Sequence, residues 1–145
     1  MELQNELVGF VRNFGMLQTE RTPCGLELHI SEAHALSEIA THPHITQQVL
    51  ANRLRLQKST VSRLVTQLVT RGWVQRAAHP IDRRAQTLSL TTAGRDVAER
   101  LERARTRRFE ALLDALPTAD RREIVRAVAL LATAAASSAR EQVAS

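Results

Sequence analysis

Residues 58–94, KSTVSRLVTQLVTRGWVQRAAHPIDRRAQTLSLTTAG, leave few folds open. Val61, Leu64, Val65, Leu68 and Val69 fall at helical spacing and make one narrow apolar stripe. Opposite them lie Ser59, Ser62, Arg63, Thr66 and Thr70. These are short hydrogen-bonding side chains and one guanidinium, not the Glu/Lys mixture of an ordinary solvated helix face. Gly72 can adopt the left-handed conformation that ends such a helix. Trp73–Arg76 and Thr87–Leu90 alternate as strands, with His79, Pro80, Ile81 and Asp82 in the tip between them, and a further helix starts after Thr91 or Thr92. Helix, strand, basic turn, strand, helix is the order of a winged helix. In that module one helix enters the DNA major groove and a hairpin lies beside it.

The charge points the same way. Between Arg53 and Arg84 stand eight basic residues (Arg53, Arg55, Lys58, Arg63, Arg71, Arg76, Arg83, Arg84) and one acid, Asp82, a local net of +7. The whole chain is only +5, so everything outside this window sums to −2. Cations placed on phosphates release condensed counterions, which drives association. The expected partner is double-stranded DNA.

Upstream, Leu3, Leu7, Phe10, Val11, Phe14 and Leu17 predict an amphipathic helix from residue 2 to about 20, broken by Thr22, Pro23 and Gly25. Ser31 is the expected cap of a short helix carrying Ala33, Leu36, Ile39 and Ala40 and ending near His42 and Pro43. Thr46 is expected to cap the next, with Val49, Leu50 and Leu54 inward and Leu56 packed in the turn that follows. Downstream, Val97, Leu101, Ala104, Phe109, Leu112 and Leu116 mark a long helix. Pro117 interrupts, Thr118 recaps, and Ile124, Val128, Leu131 and Ala135 mark a last helix. The expected fold is mainly α with a small β-hairpin wing: a winged helix-turn-helix over residues 31–94, with helical dimerisation regions at 1–30 and 95–145. A reader of that size cannot bury the apolar stripes of both terminal regions. A twofold homodimer does, and it matches the symmetry of operator DNA.

Of the 145 residues, Ala, Leu and Arg dominate and aromatics are 3%, which suits a helical protein. Glu2 and Glu6 stand where a signal peptide would be basic, and no apolar run is long enough for a membrane span. Cys24 is the one cysteine, so no disulfide framework is possible. The expected localisation is cytoplasmic, with no membrane association. No Gly-rich phosphate loop, nucleophile elbow or metal-ligand spacing points to an enzyme, and no cofactor is expected.

The block RGWVQRAAHPIDRRAQTLSLTTAGR, Arg71–Arg95, resembles the wing of the MarR (multiple antibiotic resistance regulator) family of bacterial transcription regulators. It shares a Gly, an apolar pair, an Arg, a polar tip, Asp-Arg-Arg, alternating apolar residues and Leu-Thr-Thr-x-Gly. LANRLRLQKSTVSRLVTQLVTRG resembles the family's helix-turn-helix, and SEAHALSEIA the helix before it. The resemblance implies a regulator that represses, or less often activates, nearby genes, and makes Gln57 through Gln67 the recognition helix, including Lys58. Ser59, Thr60, Ser62, Arg63 and Thr66 are its implied groove contacts. Arg63 is suited to bridging the two acceptors on guanine, and the hydroxyls to holding phosphates. In the wing, Arg84 resembles the family's minor-groove arginine and Asp82 its orienting carboxylate. Arg83 and Arg76 then meet phosphates, and His79 is a phosphate or groove contact or a solvated tip.

Relatives in this family bind small aromatic or phenolic effectors between the dimer helices and the reader, which makes Phe10, Phe14, Leu17, His29 and His34 the candidate lining, together with Leu36. Equally, they are candidate dimer core. Cys24 invites a thiol-sensor reading, but the family's sensing cysteine lies in the first helix beside tyrosines, and this chain has none. His29, His34, His42 and His44 invite a metal-sensor reading, but no histidine follows in residues 95–116 to complete a site. A weakly specific architectural DNA binder is the remaining alternative.

Overall fold

The computed structural model describes residues 1–18, 20–23 and 25–144, with side chains as far as residue 139. The elements are α1 (Glu2–Phe14), α2 (Ile30–Thr41), β1 (Ile45–Thr46), α3 (Gln47–Leu54), α4 (Lys58–Thr70), β2 (Val74–Ala78), β3 (Gln86–Leu90), α5 (Thr92–Asp114) and α6 (Arg121–Ala144). They form two compact units, Met1–Thr106 and Arg107–Ser145. The expected class, mainly helical with a β wing, is the observed one.

The core of the first unit gathers α2, α3, α4 and the sheet. Leu36, Ile39, Leu50, Val61, Val65, Leu68 and Leu88 are almost fully buried there. Each such side chain contributes about 1.5–3 kcal/mol relative to exposure. All members of the α4 stripe are inside except Val69, which is half-buried at the edge. The same burial holds the opposite face of α4 outward.

The sheet has three antiparallel strands in the order β1-β3-β2. β2 and β3 form the hairpin, in register from Val74 opposite Leu90 to Ala78 opposite Gln86. The strand β1, which the alternation did not reveal because it is only two residues long, pairs Ile45 with Leu88. It buries Ile45 and anchors the hairpin root to the start of α3.

Several expectations are corrected. The first helix ends at Phe14, not near residue 20. Gly15 takes φ +87°, its N–H donates to the Arg12 carbonyl and the Met16 N–H to the Val11 carbonyl, so Leu17 lies beyond the helix and is exposed. The cap of α2 is His29, not Ser31: its N–H donates to Glu32 Oε2 at 3.0 Å, across the three-residue spacing of a capping box. The inward face of α2 is Ala33, Ala35, Leu36 and Ile39, while Ala40 is exposed. Thr46 does cap α3, accepting from the Val49 N–H at 3.3 Å, but Val49 itself points out and Ala51 packs in its place. Leu56 is on the exposed side of the following turn. Thr91, of the two threonines considered, caps α5 through the Gly94 N–H at 3.0 Å. That helix stops at Asp114, short of Leu116, and the last one starts at Arg121, where the Asp120 carbonyl and not Thr118 opens the helical ladder.

Gly94 has a positional reason to be glycine. A Cβ there would stand 1.9 Å from the Trp73 carbonyl oxygen. The first turn of α5 therefore lies directly against the backbone between α4 and β2. Thr91 adds to the junction: its N–H donates to the Trp73 carbonyl and its hydroxyl to the Gly72 carbonyl.

Candidate nucleic-acid interface

The α4 stripe fixes which way the opposite face looks. Gln57, Lys58, Ser59, Thr60, Ser62, Arg63, Thr66 and Gln67 are all exposed. Arg63 makes no ion pair or hydrogen bond among the described residues. Thr66 is engaged twice: its hydroxyl donates to the Ser62 carbonyl at 2.9 Å and accepts from the Arg76 guanidinium at 3.2 Å. Arg76, on β2, is thus brought to the middle of the α4 face. Sequence spacing alone could not place these two residues together.

The wing tip is tied by its own side chains. His79 Nδ1 accepts from the N–H groups of Ile81 at 3.2 Å and Asp82 at 3.0 Å. Asp82 Oδ1 accepts from the Arg84 N–H at 3.0 Å. Backbone bonds from His79 to Ala85 and from Ala85 to Asp82 close the turn. Asp82 therefore orients the backbone of Arg84, and the guanidiniums of Arg83 and Arg84 stand exposed without a partner among the described residues. His79, weighed as a DNA contact, serves as the turn's internal cap. Ile81 is 89% exposed at the tip.

Two of the eight cations in the basic window are already matched. Arg53 pairs with Glu38 of α2, which also lies 3.6 Å from His42. Arg71 pairs with the buried Glu32 at 3.5 Å and lies over the Trp73 ring at 4.8 Å. The remaining positive charge is Arg55, Lys58, Arg63, Arg76, Arg83 and Arg84, on the α3–α4 turn, α4 and the wing. It is a more focused footprint than the sequence window suggested.

Of the candidate effector residues, Phe10 and Phe14 lie on α1, Leu17 just past it, His29 at the cap of α2 and His34 within it. Phe10 and Phe14 stack on α1 with centroids 5.2 Å apart, Phe14 buried and Phe10 exposed. His34 is exposed on α2, and His29 borders a cleft of about 260 Å³ lined by Glu32, Thr66, Gln67, Thr70 and Arg71. No group of three metal-ligating side chains occurs among the described residues. Cys24 lies outside them.

A buried helix pair presenting a polar helix face, with a basic hairpin at its side, is the architecture of a winged helix-turn-helix. Residues 25–85 match the model of the MarR family. An HTH-type transcriptional regulator of Mycobacterium tuberculosis, MT0903.1, is 36% identical over 102 residues, which span 69% of each chain. Among solved structures, a MarR transcriptional regulator from Methanosarcina mazei is similar at a TM-score of 0.74 and 19% identity, over 94% of this chain and 99% of that one. FabT of Streptococcus pneumoniae, solved in complex with DNA, is similar at a TM-score of 0.69 and 21% identity, over 91% of this chain and 89% of that one. The chain belongs to the MarR family, whose members are DNA-binding transcriptional regulators and not enzymes. No helix of the described residues is long and apolar enough to cross a membrane.

Proposed function

We propose that this regulator binds a pseudo-palindromic operator as a homodimer and represses the adjoining genes, working in the cytoplasm. The observation that carries the reading is the pairing of two exposed surfaces on one rigid core. One is the Ser59, Thr60, Ser62, Arg63 face of α4; the other is the Arg83–Arg84 wing. The DNA complex of the FabT neighbour supports a duplex as the partner of this fold. On this reading Arg63 reads base edges, and Gln57, Lys58, Ser59, Thr60, Ser62, Thr66 and Gln67 set register. Arg76 and Arg83 meet phosphates, Arg84 enters the minor groove, and His79 and Asp82 hold the wing tip in shape.

The dimer is supported by apolar surface that neither unit covers for itself. Leu3, Leu7 and Phe10 of α1 are exposed, as are Val125, Val128, Leu130 and Leu131 of α6. A small aromatic or phenolic effector would act beside α1, with the Phe10–Phe14 stack as its aromatic neighbour. A thermal-shift series against aromatic acids tests that part: saturable stabilisation with loss of DNA affinity supports it, and no shift from any of them removes it.

Selection of bound duplexes from a random-sequence pool tests the operator reading. Two inverted half-sites, about 10 base pairs apart centre to centre or a multiple of that, are the expected product. Enrichment of no motif would favour an architectural binder instead.

A further inference from the structure

We infer that Glu32 is a positioning residue for sequence reading, acting through Arg71 on the recognition helix; the inference rests on the DNA-binding reading above. Glu32 is 1% exposed, and a carboxylate is seldom buried so completely without a paired role. Its two oxygens face different elements. Oε2 accepts from the His29 N–H at the start of α2, and Oε1 lies 3.5 Å from Arg71 Nε just past the end of α4. The Arg71 guanidinium in turn lies over the Trp73 ring at 4.8 Å, at the root of the wing. One carboxylate thus ties the start of α2, the end of the reading helix and the first residues of the hairpin. The cleft beside it is also lined by Thr66 and Gln67 of the reading face, so the ion pair and two of the groups proposed to meet DNA border one cleft.

The two partners are not equivalent. Arg71 is 42% exposed at its side chain, so it stays hydrated if Glu32 loses its charge. A Glu32 left without Arg71 would be a buried carboxylate held by one N–H alone, which is strongly destabilising. Glu32→Gln is therefore the clean probe: its amide oxygen can still accept from His29 while the charge on Arg71 is released. Because Arg71 is spent on Glu32 and Trp73, it contributes no phosphate contact, in contrast to Arg83.

The test uses the full chain and two probes, a duplex selected by the wild type from a random pool and a scrambled duplex of equal length, titrated over a salt series. E32Q is expected to lose about tenfold in affinity for the selected duplex. Its affinity for the scrambled one should change little, and the salt slope should stay that of the wild type. Arg71→Lys, which keeps a charge for Glu32 but loses the planar stack on Trp73, should do the same and carries the test should E32Q fail to fold. An equal loss on both duplexes means Glu32 only holds the fold and overturns the role. So does an E32Q indistinguishable from wild type. A slope shallower by about 0.9 for the double variant Glu32→Gln, Arg71→Gln than for E32Q alone, in which no buried carboxylate is left unpaired, would make Arg71 a phosphate contact and overturn it as well. A wild type that discriminates no duplex overturns the DNA reading itself, and this role with it.

Discussion

Arg63 and Arg84 have the same side chain in different settings, and their expected effects differ accordingly. Arg63 projects from a helix whose opposite face is locked in the core by Val61, Leu64, Val65 and Leu68, so on the proposed reading its side chain is presented to one position of the groove. Arg63→Ala should cost about 1–3 kcal/mol on the preferred duplex and relax the preference at one base position, with little change of salt slope. Arg84 stands on a turn whose backbone is fixed by Asp82. Arg84→Ala should weaken binding several-fold, and to a comparable extent on duplexes that differ only at the base Arg63 reads. Profiles of the two variants that cannot be told apart, in titrations against single-base operator variants, would mean the roles are misassigned. His79 makes a third case. It donates nothing to DNA in this account but accepts two backbone N–H groups of the tip. His79→Ala should therefore reduce affinity through a loosened wing while leaving the base preference of Arg63 intact, as read by the same operator-variant titrations.

At the scale of elements, the close approach of α5 to the α4–β2 junction is the contact least tolerant of change. Gly94→Ala places a methyl inside the Trp73 carbonyl, against backbone that cannot swing away. A loss of roughly 2–4 kcal/mol is expected, seen as a lowered midpoint in chemical denaturation; an unchanged midpoint would mean the helix start shifts freely. This junction also shows what the sequence could and could not reveal. The α4 stripe, the hairpin and Gly72 were legible because periodicity and turn chemistry are local signals. The end of α1 was misplaced because Leu17 continued the apolar spacing past Gly15, and a left-handed glycine outweighs one more apolar residue. The start of α2 lies two residues before the one a Ser31 cap implies, because His29 is a rare cap and its partner Glu32 sits inside the helix. Val49 and Ala40 point out against expectation, and Ala51 points in, because short helices bury residues according to what packs on them. Of the site, the exposed face of α4 and the Asp82-Arg83-Arg84 turn were legible. The Arg76–Thr66 bond and the Glu32–Arg71–Trp73 cluster were not, since each joins residues that only the fold brings together.

For the whole molecule, the basic footprint and the uncovered apolar helices ask for different partners. The first calls for DNA and the second for another copy of the chain. Val128 on α6 is 58% exposed, so a charge there does not disturb the isolated chain's core. Val128→Glu is expected to turn a dimer into a monomer in sedimentation and, by uncoupling two half-sites, to cost about a hundredfold or more in operator affinity. A variant that still sediments as a dimer would place the interface elsewhere. The central claim, that this regulator reads sequence and is not merely attracted by charge, is tested most directly by one titration. The purified protein is bound to the intergenic DNA upstream of its own gene and to a scrambled control, at two salt concentrations. A preference of about a thousandfold that survives the higher salt is expected. Equal affinity for both duplexes, lost together as salt rises, would contradict it.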